Sequence, residues 1–171
     1  MAKYATLPSD LHDLVPLGDG GQPAEQLDDG RWVVAGKHAL ILVDAASRNV
    51  IDSGLWHEVQ FARWNAATRT LTVVWSEPEH PGFSAVTQTA DAARLMEAIT
   101  VRTERTILAT RSVFTPSGTR ISATVRRRPD GELFSVLVAD GPLSDQEIAR
   151  GEEIEASLRS ELRMDGSGPA K

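Results

Sequence analysis

Between Leu55 and Ser76 the chain reads LWHEVQFARWNAATRTLTVVWS. Two apolar-rich runs flank the polar turn Asn65-Ala66-Ala67-Thr68-Arg69. Leu71, Val73 and Trp75 alternate with Thr70, Thr72 and Val74. A period of two puts successive side chains on opposite faces, so this stretch is predicted to be an antiparallel hairpin with one strongly buried face. The upstream run from Trp56 to Trp64 does not alternate cleanly, which predicts a β-bulge or burial on both faces. Three of the four tryptophans, Trp56, Trp64 and Trp75, lie in this stretch, and Trp32 falls on a strand assigned to the same barrel.

The neighbouring segments keep the β pattern. Trp32–Ala35, Ala39–Val43, Arg48–Asp52 and Phe83–Gln88 are short runs rich in strand formers, punctuated by turn residues such as Gly36, Ser47, Pro78 and Pro81-Gly82. This spacing favours a compact barrel or sandwich. From Thr89 the period becomes helical. Ala92, Leu95, Met96 and Ile99 form one apolar stripe, Thr89 or Asp91 can cap the helix, and its expected end is near Leu108. Six or seven strands followed by one helix is the layout of a pleckstrin-homology-like antiparallel β-barrel, in which the helix plugs one end.

The expected fold is therefore α+β in four segments. Residues 1–29, with three prolines among glycines, read as an irregular arm that packs a leucine or two onto the body, or as a flexible one. Residues 30–109 form the pleckstrin-homology-like barrel with its helix. Residues 110–164 form a β-hairpin and an acidic helix, and 165–171 a flexible tail. In the third segment Ile121, Ala123 and Val125 alternate with polar neighbours. Pro129-Asp130-Gly131 forms a turn in which glycine supplies the positive φ. Leu133–Val138 is nearly all apolar and reads as a central strand, and Ser144-Asp145-Gln146-Glu147 is a capping box. Ile148, Gly151, Ile154, Leu158 and Leu162 make the buried stripe of the last helix.

The chain has 171 residues and no cysteine, which removes disulfides, thiolate metal sites and cysteine nucleophiles. No apolar run approaches the ~18 residues of a membrane span. The first residues lack a secretory pattern, so a cytoplasmic location is expected. The net charge of −6 makes nucleic-acid binding an unfavourable expectation. The charge is unevenly spread: residues 102–129 hold seven arginines against one glutamate, while residues 130–165 hold ten acids against three arginines.

Several pieces together resemble a functionally uncharacterised conserved-hypothetical family common in actinobacteria. They are Trp32-Val33-Val34-Ala35, Trp56-His57-Glu58-Val59, Ala62-Arg63-Trp64-Asn65, Val101-Arg102-Thr103-Glu104-Arg105, the run Arg126–Gly131 and the closing acidic helix. The resemblance spans roughly residues 30–163 and implies a pleckstrin-homology-like N-terminal domain without supplying an activity. The chain departs from that pattern in its short Gly141-Pro142-Leu143-Ser144 connection.

Two constellations stand out. Arg105, Arg120, Arg126, Arg127 and Arg128 could bind an anion such as a lipid head group or a nucleotide; alternatively they pair with glutamates of the last helix. Trp32, Trp56, Trp64 and Trp75 could line an aromatic pocket; alternatively they are core. The four histidines are scattered with no metal-ligand spacing, and Gly18-Asp19-Gly20-Gly21 lacks the strand and helix of a dinucleotide fingerprint. No catalytic residue, metal or cofactor is therefore expected. The expected function is a non-enzymatic binding or scaffold module with an unknown protein partner. The alternatives are a structural homodimer and weak anionic-ligand binding at the arginine-rich segment.

Overall fold

The runs Arg31–Ala35 and Ala39–Asp44 are too apolar for strands with one wet face. The computed structural model, which describes residues 4–164, shows why. These residues divide into two compact units, one ending at Glu104 and one starting at Arg105.

The first unit opens with an antiparallel meander of β1 (Ala24–Gln26), β2 (Arg31–Ala35), β3 (Ala39–Asp44) and β4 (Asn49–Leu55). A second meander follows: β5 (Val59–Asn65), β6 (Thr70–Trp75) and β7 (Phe83–Val86). Helix α1 (Ala93–Glu104) comes last. Val33, Ala35, Leu40 and Leu42 of the first sheet form one core with Val59, Leu71, Val73 and Trp75 of the second and with Leu95 and Ile99 of α1. The alternate residues Val34, Ile41 and Val43 form a second core with Leu7, Leu11 and Val15. The first sheet is thus buried on both faces, which accounts for the unbroken apolar runs.

That second core takes in two leucines of the arm expected over residues 1–29. The described part of the arm holds a 3₁₀ turn at Ser9–Leu14, another at Asp19–Gly21, and β1. Leu7 and Leu11 are almost fully buried. The apolar spacing in this segment follows 3₁₀ turns, too short to show a period.

The strands do not close into a barrel. The two sheets meet along one side, where Leu27 bridges Thr87, Asp28 N–H donates to Val86 O and Gln88 N–H donates to Gln26 O. On the other side β4 leads into a 3₁₀ turn at Trp56–Glu58, and no ladder joins β4 to β5 among the described residues. The bulge expected between Trp56 and Trp64 is present as a register shift between Val59 and Phe61.

Helix α1 carries the expected apolar stripe, with Leu95 and Ile99 buried and Asp91 accepting from Ala93 N–H. It ends at Glu104, four residues before the expected Leu108, because Ile107 already belongs to a strand.

The second unit contains β8 (Ile107–Phe114), β9 (Arg120–Arg127), β10 (Leu133–Ala139) and α2 (Asp145–Glu161). The order β10-β9-β8 makes it a three-stranded meander, one strand more than the expected hairpin. It also places β9 at the centre and the apolar β10 at an edge, reversing the expectation for Leu133–Val138. Ala123 and Val125 face Ile154 and Leu158 of α2, with Ala109, Val113, Leu133 and Leu137 around them. Gly131 takes φ +89° in the β9–β10 turn, as the turn chemistry requires. The Ser144 capping box forms: Glu147 N–H donates to Ser144 Oγ (3.2 Å) and Ser144 N–H to Glu147 Oε1 (2.9 Å). Ile148, expected in the buried stripe, is 42 % exposed. The expected tail at 165–171 lies outside the described residues.

Candidate functional site

The arginines of the arginine-rich segment take different environments. Consecutive strand residues point to opposite faces, so Arg126 and Arg127 separate. Arg126 is 5 % exposed, and burial pushes its guanidinium below the usual arginine range. Arg127 is exposed. Arg128 lies 4.5 Å from the Phe134 ring centroid and pairs with Glu132 of its own turn at 3.5 Å. Arg120 is exposed at the start of β9, with its N–H donating to Asp140 Oδ1 (2.8 Å) and its Nε to Ser122 Oγ (3.4 Å). Arg105 is exposed before β8.

One arginine of the segment makes the alternative pairing with the acidic helix. Arg111 on β8 meets Glu161 at 2.7 Å. The α2 carboxylates have other tasks as well: Glu155 accepts from Ser135 Oγ and Glu153 pairs with Arg150. Arg102, in the last turn of α1, donates to the carbonyls of Ala35 and Gly36 and to Gln22 Oε1. That fastens the helix C-terminus to the first sheet with a favourably placed cation.

The tryptophans divide between two cores. Trp56 and Trp75 are buried in the core between the sheets, and Trp64 packs against it. Trp32 packs on the opposite face of the first sheet. Trp56 Nε1 donates to Gly36 O (3.0 Å), Trp64 Nε1 to Thr87 Oγ1 (3.2 Å) and Trp75 Nε1 to Asp52 Oδ2 (3.2 Å). Each of these three indoles fills core volume with its polar atom satisfied, and Trp32 belongs to the other core.

Sequence reasoning missed one polar cluster. Asp52 on β4 accepts from Trp75 through Oδ2, and its Oδ1 lies 2.6 Å from His80 Nε2. The His80 ring stacks on Trp75 with centroids 4.5 Å apart. Asp52, Trp75 and His80 are distant in sequence, and only the β4 and β6 positions bring them together. The cluster anchors the loop before β7 to the core.

Two carboxylates outside that cluster, Glu25 and Glu147, have displaced proton affinities. Glu25 on β1 is pushed up to about 6, by burial first and then by the neighbouring Asp91 charge. Glu147 is held down at about 2, by the Ser144 N–H first and then by the Ser117 hydroxyl. Glu147 also borders an open groove of about 500 Å³ with Val113, Phe114, Thr115, Pro116, Gln146 and Arg150. Phe114 is 74 % exposed there. Among the described residues, no group of three or more histidine, aspartate or glutamate side chains could hold a metal ion. No helix among them is long and apolar enough to cross a membrane.

The remaining feature is the side of β10 that pairs with no strand among the described residues. The flanking bonds Arg128 N–H to Glu132 O and Asp140 N–H to Arg120 O fix the phase of the β9–β10 ladder. In that phase Phe134, Val136 and Val138 exchange backbone bonds with β9, and Leu133, Ser135, Leu137 and Ala139 direct theirs outward. No family model matches the chain, and no curated protein matches it in sequence.

Proposed function

We propose that the chain is a non-enzymatic binding or scaffold module with a pleckstrin-homology-like first unit. The four-plus-three strand order followed by α1 supports that frame. The resemblance to the actinobacterial family belongs to the same reading. Frame alone does not give function. The observation that carries the proposal is the outward row of backbone donors and acceptors on β10, a seven-residue apolar edge. A strand edge of this kind binds by adding a partner strand, with main-chain hydrogen bonds supplying affinity. Two ionisable groups in structural roles support it too. Asp52 holds Trp75 and His80, and Glu147 caps α2. Each serves the fold.

The test is purification of the tagged full chain from its native cells under mild conditions, with quantification of what accompanies it. A protein at near one-to-one ratio is expected, either a second copy or another chain. Hydrogen exchange at Ser135 and Leu137 should slow in that complex. A chain recovered alone and monomeric, with both amides exchanging freely, rejects the reading.

A further inference from the structure

Among the described residues the three sheets present six edge strands, and five carry a feature that discourages pairing. β1 has three residues and β7 has four. β4, β5 and β8 are each bulged: Ile51, Gln60 and Leu108 fall at the register shifts and have no opposite residue. A bulge twists an edge away from a flat partner. β10 has no such feature. It has seven residues, LFSVLVA, without charge, proline or glycine, and its register with β9 is unbroken.

Resting on the binding-module reading, we infer that β10 pairs antiparallel with β10 of a second copy, about a twofold axis at Val136. The geometry selects this register. Outward-facing residues must meet outward-facing residues, so odd positions pair with odd positions. With Val136 on the axis, Leu133 meets Ala139 of the second copy and Ser135 meets its Leu137. All four outward residues are then used, giving about eight backbone hydrogen bonds. Any other register leaves part of the seven-residue strand unpaired. Side chains agree with it: Phe134 faces Val138 of the second copy, and Val136 faces Val136. The row is apolar throughout and carries no opposed charges. A twofold axis closes the assembly at two copies, because pairing consumes the one unprotected edge among the described residues.

One contact is unfavourable, and it provides the test. The same register places Glu132 opposite Asp140 of the second copy, twice by symmetry, which weakens the pairing. Glu132→Lys converts both contacts to attractions and leaves the ladder intact. Val136→Lys sets two ammonium groups face to face on the axis.

The experiment is sedimentation velocity of the full chain from low micromolar to near-millimolar concentration, for wild type and both variants. Wild type should show a monomer–dimer equilibrium. Glu132→Lys should tighten it about tenfold, and Val136→Lys should weaken it at least about tenfold. Glu132 lies in a turn outside β10, so that variant remains informative if Val136→Lys fails to fold. Monomer at every concentration overturns the inference, as does a dimer whose affinity ignores Glu132→Lys. If the chain stays monomeric while another protein protects Ser135 and Leu137 from exchange, the second-copy inference fails and the binding-module reading stands.

Discussion

Replacing Glu25 by glutamine should make the first unit more stable at neutral and alkaline pH. Glu25 sits on β1 with 9 % of its surface exposed. Burial and the Asp91 charge raise its carboxyl from 4.5 to about 6 in the folded chain. The unfolded chain therefore ionises Glu25 more readily than the folded one does. Below 4.5 the group is protonated in both states and costs nothing. Between 4.5 and about 6 the penalty grows, and above about 6 it is complete. The interval from 4.5 to about 6 corresponds to about 2 kcal/mol. Water still reaches part of the carboxylate, and screening reduces the expected gain to about 1 kcal/mol. Glutamine keeps the shape and removes the charge.

The assay is urea unfolding followed by tryptophan fluorescence. All four tryptophans lie in the first unit, so the signal reports the unit that holds Glu25. At about pH 8 the midpoint of Glu25→Gln should rise by about 0.5 M urea, given a typical slope of about 2 kcal/mol/M. At about pH 4 the two midpoints should coincide. A difference of the same size at both pH values, or one that favours wild type at high pH, refutes the reasoning.

Glu147 has the opposite sign. Its carboxyl is lowered to about 2 by the Ser144 N–H and the Ser117 hydroxyl, so its contribution is present above 4.5 and is lost as pH falls through about 2. Glu147→Gln should be less stable than wild type at neutral pH in thermal melts read by circular dichroism at helix wavelengths, with the gap closing on acidification. A gap independent of pH would falsify the assignment of the cap to the charged form. Gly54 on β4 sits under the Trp75 ring, where an added Cβ would collide with the indole. Gly54→Val should cost about 1–3 kcal/mol by overpacking and weaken the near-ultraviolet signal of Trp75. Unchanged stability and signal would show that the ring does not lie there.

The features legible in the sequence were those set by near neighbours. The alternation from Thr70 to Trp75, the Pro129-Asp130-Gly131 turn and the Ser144–Glu147 capping box all formed where the residues predicted. The bulge near Gln60 was visible because a register shift changes which face each side chain takes. The arginine group follows the same rule that made the strands readable. A period of two separates Arg126 from Arg127, however dense the charge looks in one dimension.

By itself, then, the sequence determined an α+β chain of short antiparallel strands, a capped C-terminal helix and a core of Leu, Val, Ile and Trp. Each of these depends on propensities and periods within a few residues. Tertiary structure alone decided what covers each strand and what stands beside it. It buried Leu7 and Leu11 on the outer face of the first sheet, and it gathered Asp52, Trp75 and His80. It left the sheets short of a closed barrel and set β10 at an edge. Apolar composition reports how much of a side chain leaves water. It does not report how many strands lie alongside, because that number is fixed by backbone hydrogen bonds to distant residues.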